Sequence, residues 1–242
     1  VFEASHLPLS KWLMAIHLMS ASKKGMSAHQ LHRMIGCTYR PAWFAMHRLR
    51  YAMSAPGGLF SGVVEVDETF IGANRPRVGR YGHSKTYPTY HGKTPVMALV
   101  ERGGRAKAFP MTDMHTKAMR QNLVENLDPK NTHLMTDEFP QYPKIAVAEG
   151  FKRHEMINHT RKEYVRGNVH TNTVEGFFSL LKRGITGSFH HISRAHLHRY
   201  CDEFAFRYSN RSALGVSDGE RAAKIVLGAE GKRLTYQTRG GN

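Results

Sequence analysis

The chain has 242 residues, with 35 Lys and Arg against 19 Asp and Glu, a formal charge of +16 with its 16 histidines neutral. Its 40% hydrophobic and 10% aromatic content can bury a core and excludes wholesale disorder, and no apolar run approaches the roughly 18 residues of a membrane span. Two distant cysteines, Cys37 and Cys201, exclude a disulfide scaffold and a cysteine-rich zinc site and fit a reducing cytoplasm. The excess positive charge points to a polyanion, nucleic acid ahead of an anionic membrane surface. Val1-Phe2-Glu3 has no basic or apolar signal region, and a start without Met reads as a fragment or a processed product.

In chain order, residues 1–56 read as helical. Trp12, Ile16 and Met19 fall at helical spacing, and Ser27 with Gln30 forms a capping-box pattern opening a helix to about Ile35. Gly36-Cys37-Thr38 makes a three-residue break, and Pro41 suits the first turn of a new helix. There Ala42, Ala45, Met46, Leu49 and Met53 form one apolar stripe. Two helices around a short turn containing Gly predict a helix-turn-helix, its second helix exposing Tyr39, Arg40, His47, Arg48 and Arg50; an ordinary helical hairpin with a basic face is the plainer alternative.

Ala55-Pro56-Gly57-Gly58 marks a boundary, after which the period changes to that of strands. Strands are predicted over 62–71, 94–102 and 105–111, the last two as an antiparallel hairpin through Gly103-Gly104. A helix follows over 116–126, a strand over 132–136, a helix over 142–149, a strand over 151–157, and helices over 173–183 and 194–207. The order β-β-β-α-β-α-β-α implies an α/β fold with a mixed sheet flanked by helices over 57–214. Residues 215–242 read as a weakly ordered C-terminal tail.

Three acids carry the chemical interest. Alternation puts Val63, Glu65, Asp67 and Thr69 on one face of the first strand and Val64, Val66, Glu68 and Phe70 on the other. A carboxylate inside a strand is costly unless it is paired or ligates a metal, so Asp67 is a ligand or a strand-edge ion-pair partner. Asp137 follows the strand ending in Thr136, where a carboxylate lines a crevice or, with Glu138, caps the next helix. Glu175 sits in the first turn of a helix that Asn172 or Thr173 caps, where an acid suits the macrodipole. Lys182 lies two turns on, on the same face. Three carboxylates from separate elements can hold two Mg²⁺ ions, with Mn²⁺ as substitute. Two ions about 4 Å apart activate an attacking oxygen and stabilise the leaving one in phosphoryl displacement.

From about Leu7 to Arg211 the chain resembles the DDE transposases of prokaryotic insertion sequences, specifically the ISXO-like group. The resemblance rests on Val66-Asp67-Glu68-Thr69-Phe70-Ile71-Gly72, Thr136-Asp137-Glu138 and His170-Thr171-Asn172-Thr173-Val174-Glu175-Gly176-Phe177-Phe178. Leu181-Lys182-Arg183-Gly184-Ile185, Leu197-His198-Arg199-Tyr200 and Glu203-Phe204-Ala205-Phe206-Arg207 add to it. It implies an RNase H-like fold, a metal-binding catalytic triad of Asp67, Asp137 and Glu175, and DNA contact by Lys182 near the cleaved phosphate. The implied activity is strand cleavage at the element's ends and 3′-hydroxyl transfer into target DNA, in a homo-oligomer that brings two ends together. A nuclease that cuts without joining and a DNA-binding regulator derived from a transposase are the rival readings. Such proteins commonly carry a cysteine-rich zinc ribbon before the helix-turn-helix, and this chain has no CxxC.

The remaining expectations concern basic and histidine residues. The acid-free loop 72–95 offers Arg75, Arg77, Arg80 and Lys85 to phosphates, and Arg183 adds to Lys182. His170 and Asn172 are accessory candidates beside Glu175, although turn formation and capping also explain them. His190, His191, His196 and His198 invite a metal reading, but no cysteine accompanies them and His is abundant throughout the chain. Arg199, Glu203 and Arg207 form an i,i+4 ion-pair set, with Glu203 a reserve third acid. Trp12 and Trp43 are expected in the core.

Overall fold

The computed structural model describes residues 1–2, 5–54, 57–72 and 92–235. Three helices come first: α1 (Leu9–Ala21), α2 (Ala28–Ile35) and α3 (Tyr39–Met53). A sheet follows, made of β1 (Phe60–Ile71), β2 (Thr94–Glu101), β3 (Ala106–Pro110), β4 (Leu127–Thr136) and β5 (Arg153–Met156). Its helices are α4 (Thr116–Asn126), α5 (Gln141–Ala148), α6 (Asn172–Gly184) and α7 (Leu197–Ser209), and α8 (Asp218–Leu227) comes last.

The sheet order is β3-β2-β1-β4-β5. β1, β2 and β3 form an antiparallel meander, and β4 and β5 join parallel to β1. This is the RNase H-like arrangement. The local reasons are plain. β2 is apolar on both sides because it lies inside the sheet with both faces covered. Gly103, at φ 70°, supplies the left-handed backbone that the β2–β3 turn needs. Val64, Val66, Leu99 and Leu134 pack under α4 and α5. Val96, Ala98 and Val100 pack on the other face, under Phe177 and Leu181 of α6 and Phe204 of α7.

The first three helices enclose a separate core around Trp12, Ile16, Leu31, Met46 and Leu49. Ser27 caps α2 by accepting from Gln30 N at 3.1 Å, and Gly36 ends it at φ 63°. Residues 215–235 do not form a loose tail. Ser217 and Glu220 make a capping box that starts α8, and Ile225 and Ala229 complete the core of α1–α3. Arg221 is buried and donates to the carbonyls of Ser20 and Asn210. Val1 N donates to Lys232 O at 2.7 Å.

α3 joins this unit to the sheet domain, packing against α7. That contact corrects the expected exposed face of α3. Tyr39 and Arg40, in its first turn, are exposed, but His47, Arg48 and Arg50 are buried. Arg48 Nε donates to Leu234 O at 3.0 Å, and its guanidinium stacks on Phe44. Arg50 pairs with Glu203 of α7 at 2.6 Å. Arg48 is therefore not displayed for DNA. Among the described residues no helix is long and apolar enough to cross a membrane.

Candidate active site

The parallel pairing of β1 with β4 runs Val63 to His133 and Glu65 to Met135. Two residues further on, the same register brings Asp67 level with Asp137, just past the end of β4. Asp67 Oδ1 accepts from Glu68 N at 2.7 Å, and Asp137 Oδ1 accepts from Phe139 N at 3.0 Å in an Asx turn. Burial, and then the charge of Asp137, push the Asp67 carboxyl up to about 7; Glu175 adds to this and Lys182 opposes it. All four predicted residues thus share one electrostatic neighbourhood. Burial also raises Asp137, offset by the Phe139 amide.

Glu175 and Lys182 project from α6, and both are exposed. Glu175 Oε1 accepts from Thr171 Oγ1 at 3.0 Å and lies 3.9 Å from His159 Nε2. Among the described residues no three His, Cys, Asp or Glu side chains stand close enough to enclose a metal ion. The carboxylate of Glu175 is engaged by Thr171 and His159. The donor set nevertheless suits a divalent cation: hard oxygen ligands, two of them on half-buried carboxyls whose ionisation burial disfavours.

Several residues of the site were not singled out from the sequence. Glu68 lies on the opposite face of β1, where Tyr142 donates to it; burial pushes its carboxyl up to about 8, with Asp67 and Asp137 adding to the rise. Glu138 caps no adjacent helix. It accepts from His159 N, Thr160 N and Thr160 Oγ1 at 2.8, 3.0 and 2.6 Å, bonds that hold its carboxyl down to about 2. This turn carries His159, which reaches both Asp137 and Glu175 electrostatically.

Glu65 is the largest omission. It is fully buried on the Asp67 face and accepts from Arg102 Nε at 2.6 Å, Thr173 N at 2.7 Å, Thr173 Oγ1 at 2.8 Å and Val174 N at 3.0 Å. A carboxylate from β1, rather than Asn172 or Thr173, therefore caps α6. Arg102 also donates to the carbonyls of Asn168 and His170, clasping the approach to α6. The cost argument applied to Asp67 applies equally to Glu65, two residues away on the same face, and was the available signal.

The other candidates divide. Arg183 is exposed beside Lys182, with Nε on Ser179 O at 3.2 Å. Arg40 is exposed, but on the helical unit. His170 lies 3.2 Å from Glu65 rather than among the acids, and Asn172 is exposed at the start of α6. Arg75, Arg77, Arg80 and Lys85 fall outside the described residues. Glu203 is not a reserve ligand: it is buried between Arg50 and Arg207, each at 2.6 Å, and Arg50 takes the place expected for Arg199.

Residues 59–209 match the ISXO2-like transposase domain family, more than half of the chain. An uncharacterized protein in transposable element ISH50 of Halobacterium salinarum is 28% identical over 235 residues, covering 94% of this chain and 77% of that protein. Among solved structures, the simian T-cell lymphotropic virus intasome in complex with PP2A regulatory subunit B56 gamma overlays at a TM-score of 0.40 and 12% identity, covering 95% of this chain and 77% of that one. The Mos1 strand transfer complex overlays at 0.37 and 12%, covering 93% and 75%.

Proposed function

This chain belongs to the ISXO2-like transposases, and from that premise we propose that it cleaves one DNA strand at each end of its element and joins the resulting 3′-hydroxyl to target DNA. The observation that carries the reading is the meeting of Asp67 and Asp137, at neighbouring parallel strands, with Glu175 and Lys182 on α6.

Asp67, Asp137 and Glu175 would hold divalent cations, Mg²⁺ or Mn²⁺. Such ions, when bound, activate the attacking oxygen and stabilise the leaving one. The protein's own part is to hold two half-buried carboxyls, Asp67 and Asp137, in the electrostatic neighbourhood of the exposed Glu175. Glu138 fixes His159, and His159 and Thr171 hold Glu175 in reserve. Glu65 and Arg102 fix the start of α6, and so the reach of Glu175 and Lys182. Lys182 and Arg183 meet the backbone of the strand being cut, a contact without sequence preference. The same site serves cutting and joining, so the partner is DNA twice over, as element end and as target, and two copies of the chain handle the two ends.

The test is nicking and joining of duplex DNA bearing the repeats that flank the gene, with Mg²⁺ or Mn²⁺. Asp67→Asn is expected to lower the nicking rate at least about a thousandfold, roughly 4 kcal/mol of barrier. Full activity in that variant would sink the assignment. Cutting without joined product would identify a nuclease, and metal-independent binding without cutting a regulator.

A further inference from the structure

A second concave site lies where the turn after α6 meets the helical unit. α6 passes directly into a π-helical turn, Ile185–Phe189, and His190 follows at φ 57°, ψ −45°. A non-glycine residue in that conformation is strained, and strain of this kind and π-turns both concentrate at functional sites. The opposite rim is the start of α2, at Ser27 and His29, with the adjoining face of α3. Between them opens a cavity of about 340 Å³ walled by Tyr39, Trp43, Phe189 and Tyr200.

The chemistry of this cavity is specific. Tyr39 is 41% exposed and stacks on His29 at 4.4 Å between ring centres, giving an accessible flat platform. Trp43 and Tyr200 are set by the wholly buried His47, at 4.3 and 5.9 Å. The buried Arg50 closes the floor, with its guanidinium 4.1 Å from the centre of the Tyr200 ring and bonded to Glu203, which Arg207 shares. A floor whose only guanidinium is buried and already bonded to a carboxylate, beneath aromatic walls, offers a free anion little, and among the described residues no cluster fit for a metal exists here. It suits a flat heteroaromatic ring, whose faces stack and whose edge has polar atoms to satisfy.

We propose that this cavity receives one unstacked nucleobase of the bound DNA. The inference rests on the DNA-processing reading above. Exposed Lys182 and Arg183 lie between Glu175 and the π turn, and Glu175 lies thirteen residues before Ser188. That separation is roughly 20 Å along α6 and the π turn, the span of about six nucleotides of one strand. A strand gripped at the acids reaches the cavity about six nucleotides from the cut. Paired bases hide their faces in the stack, so occupancy requires a nucleotide that is unpaired or flipped out. Stacking of this kind is insensitive to base identity, so the cavity recognises DNA distortion rather than sequence.

The experiment is fluorescence anisotropy with two labelled duplexes of one sequence, one fully paired and one with a single unpaired nucleotide, in metal-free buffer where no cutting intrudes. The intact protein is expected to bind the unpaired form about tenfold more tightly. Tyr39→Ala and Trp43→Ala should each abolish that preference and leave affinity for the paired duplex within about twofold, while Tyr39→Phe should keep it. Because Tyr39 is exposed, Tyr39→Ala stands as the test even if Trp43→Ala fails to fold. Equal binding of both duplexes by the intact protein, or a preference that survives Tyr39→Ala, overturns the nucleobase site and leaves the transposase reading standing. Failure to bind either duplex overturns both.

Discussion

Asp67 and Glu68 are adjacent carboxyls on opposite faces of one strand, and the fold raises both, to about 7 and about 8, chiefly through burial. In the unfolded chain they titrate as ordinary acids. Between those limits the folded state therefore holds more protons, and the stability they confer, complete below about pH 4, is lost as pH rises through 7 to 8. The denaturation midpoint of chelator-treated protein is expected to fall from pH 5 to pH 8.5, and the Asp67→Asn, Glu68→Gln double variant to flatten that fall. Added Mg²⁺ should restore more stability at pH 8 than at pH 6, because ions compete with protons for the same oxygens. A midpoint that does not move with pH would mean that these carboxyls ionise freely. Asp67 was legible in the sequence because a strand-centre acid is conspicuous. The roles of His159 and Tyr142 were not, because each reaches the site only through a turn or helix docked from elsewhere in the chain.

At the scale of elements, the notable join is a carboxylate of β1 capping α6. Glu65 links strand and helix over more than a hundred residues of chain, and Arg102 neutralises it. Arg102→Met keeps the bulk but leaves Glu65 buried without its cation, at a cost of up to about 3 kcal/mol. Its α6 start should loosen, so nicking is expected to fall at least about tenfold at saturating metal while DNA affinity stays within about twofold. Equal losses in binding and in rate would make Arg102 a DNA contact instead. Periodicity made the elements themselves readable: alternation in β1 assigned Glu65 and Asp67 to one face and Glu68 to the other, as found. It was silent on α8, whose core contribution is little more than Ile225 and Ala229. There the Ser217–Glu220 capping box was the signal, and the glycine-rich end obscured it.

On the scale of the whole molecule, the helical unit and the sheet domain are tied by buried charge. Arg50 on α3 meets Glu203 on α7, and Arg207 completes the set and donates to Ser22 O at the end of α1. Seen from the sequence, Arg48 and Arg50 belonged to a solvated basic face, because their partners, Leu234 and Glu203, lie 186 and 153 residues away. Burial changes how the +16 charge is distributed. Part of it is spent inside the protein on the inter-domain contact, while Lys182 and Arg183 stand exposed near the acids. The same geometry makes the C-terminal helix structural. α8 closes the α1–α3 core from outside, and its Arg221 satisfies the carbonyls of Ser20 and Asn210. A chain ended at Leu214, where the sheet domain was expected to stop, should lose at least about 3 kcal/mol through exposed apolar surface and unpaired carbonyls. The loss should fall on the helical unit first, because the sheet domain keeps its own two cores. Hydrogen exchange resolved by segment checks this: early exchange in α1–α3 with β1–β4 still protected is the expected pattern. Uniform exchange would show that the α3–α7 contact makes the two units unfold as one, and unchanged exchange would show that α8 is dispensable.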